Sequence, residues 1–135
     1  MRHALNFSGE DMTFDPVYVS RKAAAVVLAA TVSSAAFAHA RPANTEPAAN
    51  AVLASAPPAV AIGFTETLEP SFSSIVVVDG QGNAVSAGKA SVDGANRKRM
   101  TVPLATLASG AYTVKWVAVA ADGHRTQGTY RFSVK

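Results

Sequence analysis

From residue 39 onward the chain alternates apolar and polar positions in short runs separated by turn residues, and no window of useful length shows the three-to-four spacing of an amphipathic helix. Residues 40–46 read as a first short edge strand, stopped at Pro47. Pro57-Pro58 then opens residues 59–65, where Val60, Ile62 and Phe64 alternate with Ala61, Gly63 and Thr65, so one face is expected to be buried. Glu66 closes that strand. Residues 67–73 read as a crossing loop with Leu68 and Phe72 as apolar plugs, and the nearly unbroken apolar run 74–79 as a central strand covered on both faces. Turn signals at Asp79-Gly80-Gln81-Gly82-Asn83 and Asp93-Gly94 bracket one or two weak strands in 84–92, and residues 99–103 form another short strand.

The strongest pattern comes last. Over residues 111–120, Tyr112, Val114 and Trp116 share one face, and Thr113, Lys115, Val117 and Val119 the other. Residues 126–134 alternate in the same way, with Tyr130, Phe132 and Val134 on one side. Ala121-Asp122-Gly123-His124-Arg125 joins the two as a hairpin with Asp122 and His124 at its tip. About seven short strands with regular turns predict an all-β Greek-key sandwich or barrel.

The first 38 residues follow a different pattern. Residues 23–38 form an alanine-rich apolar run, preceded by Arg21-Lys22 and ending in Ala36-Phe37-Ala38, the small-x-small pattern that signal peptidase reads. The run is short and weakly hydrophobic beside the roughly 20 residues of a spanning helix, so a cleaved export signal is expected rather than an anchor. The acidic Glu10, Asp11 and Asp15 suit a signal poorly, and translation starting later, at Val17 or Val19, would remove them. Cleavage after Ala38 leaves 97 of the 135 residues, enough for one domain.

Composition limits the chemistry. Of all residues 49 % are hydrophobic, but many are alanines, so packing falls to Val, Ile, Tyr, Phe and Trp and the core must be small. There is no cysteine, which excludes disulfides and thiolate ligands. After residue 38 nine Lys or Arg oppose six Asp or Glu, and the one basic run, Arg97-Lys98-Arg99, is too short for a nucleic-acid footprint and reads as a solvated turn or edge strand.

Cleavage would also create a ligand. It would make His39 the first residue, and an N-terminal histidine offers an α-amine and an imidazole that chelate one metal ion together. His124 is the second histidine of the mature chain, and Asp122 stands two residues before it, a spacing that sends both side chains to one side of an extended backbone. The candidate metal set is therefore His39, Asp122 and His124. Three nitrogens and an oxygen without sulfur match tetragonal Cu(II), which binds such ligands more tightly than nickel or zinc. The amine titrates near 7.7 to 8.0, so a metal displaces its proton easily at neutral pH. Taken singly, Asp122-Gly123 is a common hairpin turn, His124 a solvated loop residue and Glu66 a surface carboxylate. The coincidence of the N-terminal histidine with the Asp-x-His loop is what points to metal.

His39-Ala40, the Pro47 and Pro57 region, Phe64-Thr65-Glu66-Thr67-Leu68, Phe72-Ser73, Gly110-Ala111-Tyr112-Thr113-Val114-Lys115-Trp116, and Asp122-Gly123-His124 followed by Gly128 and Phe132 together resemble the CopC-type copper-resistance proteins of the bacterial periplasm. The resemblance spans essentially all of the mature part. It implies a single immunoglobulin-like domain over residues 39–135 that binds one Cu(II) through His39, Asp122 and His124, with Glu66 orienting the amine or a water nearby. It also implies a monomeric, non-enzymatic periplasmic protein that buffers copper, confers resistance or delivers the ion to an inner-membrane copper transport protein. Some members carry a methionine-rich Cu(I) loop; here Met1 and Met12 precede the cleavage point and Met100 stands alone, so no Cu(I) site is expected. Two other functions fit parts of the pattern: a histidine-brace copper monooxygenase, and a metal-free immunoglobulin-like interaction module.

Overall fold

A computed structural model describes residues 39–135, which lie within one compact unit. The expected export signal and its cleavage fall outside the described residues. Eight strands occur in the order β1 Pro42–Glu46, β2 Val52–Leu53, β3 Ala59–Phe64, β4 Ser74–Val78, β5 Ser91–Val92, β6 Arg99–Pro103, β7 Gly110–Val119 and β8 Arg125–Val134, with a 3-10 turn at Pro70–Phe72. They form two four-stranded sheets ordered β1-β3-β6-β5 and β2-β8-β7-β4. The chain passes repeatedly from one sheet to the other, which is the sandwich that the alternating pattern predicts.

Alternation sets the register. In β3, Val60, Ile62 and Phe64 face inward, and Met100 and Val102 of β6 join them. The second sheet answers with Ile75, Val77, Tyr112, Val114, Ala118, Phe132 and Val134, and these residues form one continuous core. Tyr112 stacks on Phe132 at 5.5 Å between ring centres, and its hydroxyl donates to the Ala108 carbonyl at 2.6 Å, so its polar tip is satisfied at the core's edge. Trp116 meets Phe64 edge-on at 5.4 Å and lies across Gly128, where a Cβ would stand 2.6 Å from the indole. Only glycine allows this crossing.

Two expectations need correction, and one strand is additional. The apolar run 74–79 is not a central strand covered on both faces: β4, Ser74–Val78, lies at the end of its sheet, with Ile75 and Val77 inward and Val76 42 % exposed. An all-apolar run hides its own period, so one-sided burial could not be read from it. The edge is partly closed instead by residues 84–86, since the Val85 amide donates to the Val77 carbonyl at 2.8 Å and the Val77 amide to Ser86 Oγ at 3.2 Å. Phe72 is not a plug, because the 3-10 turn leaves it 69 % exposed, whereas Leu68 is fully buried as expected. β2, a two-residue strand parallel to the end of β8, was not anticipated, being too short to show a period.

Candidate metal centre

β7 and β8 pair without interruption from Gly110↔Val134 to Val119↔Arg125, and the loop beyond them is drawn tight by its backbone. The Ala120 amide donates to the His124 carbonyl at 2.9 Å and the Gly123 amide to the Ala120 carbonyl at 2.8 Å. Gly123 has φ +90°, a left-handed conformation that explains glycine at this position. The loop is also tied to the segment after β3: Leu68 bridges Ala120, and the Ala121 amide donates to the Thr67 carbonyl at 2.9 Å.

Within this frame Asp122 grips His124 twice. Its Oδ1 accepts the His124 backbone amide at 3.0 Å, and its Oδ2 lies 3.0 Å from His124 Nδ1. The backbone hydrogen bond first, and the imidazole contact second, hold the Asp122 carboxyl below its ordinary value of 3.8. Both side chains remain about half exposed, at 44 % and 47 %, so the loop presents them to solvent.

His39 arrives from the other end of the chain. Its ring centre lies 5.3 Å from that of His124, at an interplanar angle of 62°. Two imidazoles at this separation can supply nitrogen to one ion after small side-chain rotations. Glu66 is half-buried and follows Thr65, whose hydroxyl lies 3.4 Å from the His39 carbonyl oxygen, so Glu66 sits at the same end of the sandwich. Among the described residues no three His, Asp or Glu side chains converge as a finished metal site. The structure brings the two histidines together and turns Asp122 onto His124.

Pattern reading missed the residues that secure His39. Ala40 is fully buried in the core, and the Thr126 hydroxyl donates to its carbonyl at 2.6 Å. The Arg41 amide donates to Thr65 Oγ1 at 3.1 Å, and the Thr65 amide returns a bond to the Arg41 carbonyl at 2.9 Å. A threonine at position 126, on the β8 face that continues through Tyr130, Phe132 and Val134, was the available signal: an inward hydroxyl needs an acceptor.

Comparison with known proteins agrees with this architecture. The CopC domain family matches residues 43–135, beginning just past His39. Protein YobA of Escherichia coli K12 is 37 % identical over 116 residues, covering 85 % of this chain and 94 % of that protein. Copper transport protein CutJ of Bacillus subtilis is 38 % identical over 99 residues, which are 73 % of this chain and 18 % of CutJ. The crystal structure of CopC from Methylosinus trichosporium OB3b superimposes with a TM-score of 0.68 at 31 % identity, covering 72 % of this chain and 94 % of that one. That of PcoC, a methionine-rich copper resistance protein from Escherichia coli, gives 0.60 at 31 %, covering 73 % and all of PcoC. The chain therefore belongs to the CopC domain family.

Proposed function

We propose that the mature chain, exported to the periplasm and beginning at His39, binds one Cu(II) and buffers it or passes it to an inner-membrane copper transport protein. The observation that carries this reading is the pairing of His39 with His124 at 5.3 Å beside Asp122, in a chain without cysteine. The donors are the α-amine and imidazole of His39, the imidazole of His124 and the carboxylate of Asp122, with Glu66 nearby to orient the amine or a water. Hard and intermediate donors without sulfur select Cu(II) over Cu(I), and Met100 is fully buried, which removes it from any Cu(I) site. Oxidation-state exchange within one monomer has no place in this scheme.

Asp122 begins the binding event already engaged. Its hold on Nδ1 favours the His124 tautomer whose lone pair is on Nε2. As a ligand, the carboxylate turns from Nδ1 to the ion; as an orienting group, it stays. Asp122→Asn separates the two uses, because an amide keeps the contact to Nδ1 but is a poor copper ligand. Ligation predicts Cu(II) affinity reduced by tenfold or more, with a changed paramagnetic resonance spectrum.

The CutJ match supports the delivery role. The match covers 18 % of that protein, so a CopC-like stretch is there part of a larger copper transport protein. His39→Ala is the deciding variant. Tight Cu(II) binding should be lost with the fold intact, and retained affinity refutes the proposal.

A further inference from the structure

A chain terminus frays unless something ties it down, and a chelate built on a frayed terminus binds weakly because binding must first order the chain. Residues 39–41 are tied on both sides. Ala40 has no exposed surface, its carbonyl takes the Thr126 hydroxyl at 2.6 Å, and that short contact leaves the alternative acceptor, the Ala118 carbonyl at 3.4 Å, as the lesser one. On the other flank Thr65, just past the end of β3, receives the Arg41 amide at 3.1 Å and lies 3.4 Å from the His39 carbonyl. Thr126 belongs to one sheet and Thr65 follows a strand of the other, so the tether spans both.

Thr126 also stands two residues beyond His124. A short closed path therefore runs from His124 through Arg125 and Thr126 to the Ala40 carbonyl, and back through one peptide unit to His39. We propose that Thr126, assisted by Thr65 and by the buried Ala40, is the positioning residue that fixes His39 against His124 before metal arrives. The inference rests on the Cu(II) reading above and names what gives that site its affinity. The small side chain at position 40 follows from the same device, since anything larger would have to displace core residues and would carry His39 with it.

The test uses the chain beginning at His39, with Cu(II) as probe, in competition with a chelator and by paramagnetic resonance, together with amide relaxation of Ala40 and Arg41 in the metal-free protein. Thr126→Val keeps the shape and removes the hydroxyl. It should weaken Cu(II) binding by about tenfold, in line with the loss of one partly buried hydrogen bond, alter the nitrogen couplings and increase motion at Ala40 and Arg41. Thr126→Ser should restore all three. In a His39→Ala background Thr126→Val should have no further effect on the residual binding. Folded Thr126→Val with wild-type affinity and spectrum overturns the proposal, as does a loosened terminus without any change in Cu(II) binding. If Thr126→Val does not fold, Thr65→Val serves in its place, with about threefold weakening expected and unchanged binding as the refuting result. If His39→Ala binds as the wild type does, the Cu(II) reading itself falls, and that result is distinct from the others.

Discussion

The contacts of Asp122 show how one residue can serve both the loop and the candidate site. Its carboxyl is held below 3.8 by hydrogen bonds from His124, so the folded state binds its proton less readily than the unfolded chain does. The resulting stabilisation is in place above 3.8 and is lost as pH falls through the lowered folded value. Acid titration followed by NMR should therefore show the His124 amide losing its Asp122 bond only below the ordinary carboxylate range, and Asp122→Asn should abolish that step. Tyr130 behaves in the opposite sense. Its hydroxyl is buried with no hydrogen-bond partner among the described residues, and burial pushes the phenol up to about 12, with the neighbouring Thr45 side chain pulling weakly the other way. The folded state then holds the phenolic proton more tightly than the unfolded chain, so stability is full below about 10 and declines as pH rises from 10 towards 12. Tyr130→Phe should leave neutral-pH stability unchanged or raised by up to about 1 kcal/mol, and flatten the alkaline decline in thermal melts. That His39, Asp122 and His124 lie near one another could be expected from their types and spacing, and the structure sets the His39 and His124 rings 5.3 Å apart with Asp122 bonded to His124. At Thr126 the sequence offers only an inward hydroxyl that needs an acceptor, and the acceptor itself, a carbonyl from the far end of the chain, cannot be read from the pattern.

Among the elements, the β7–β8 hairpin could be read almost to the residue, because ten-residue strands display their alternation and the Asp-Gly pair marks the turn. β4 could be located but not oriented, since Ser74–Val78 is apolar on both faces and its edge position is decided by its neighbours. Phe72 was misplaced for a similar reason: hydrophobicity suggests burial, and a 3-10 turn at Pro70 points it outward. Two glycines test the hairpin directly. Gly128→Val would drive a side chain into Trp116, destabilising the fold by roughly 1 to 3 kcal/mol and shifting the emission of the single tryptophan as the indole leaves Phe64. Gly123→Ala strains a φ of +90° and should cost about 1 kcal/mol, moving His124 without touching the core.

At the scale of the molecule, the two sheets share a core that ends beside His39 and His124, and residues 39–41 join the sheets at that end. The candidate site therefore rests on a segment tied to both sheets, while the Asp122 and His124 side chains stay open to solvent. A ligand that binds only the folded state adds about 2.7 kcal/mol at a hundredfold excess over its dissociation constant. Cu(II) should accordingly raise the unfolding temperature of the chain beginning at His39, and His39→Ala should remove that increment while leaving the metal-free melting point in place.

The most direct test is a Cu(II) titration by paramagnetic resonance on two chains, one beginning at His39 and one carrying a single additional alanine before it. The extra residue turns the α-amine of His39 into an amide and leaves every side chain of the sandwich in the sequence. A tight one-to-one tetragonal signal with nitrogen couplings in the first chain, and its loss in the second, is the result expected if cleavage creates the site. Equal binding by both chains, or binding by neither, would contradict it.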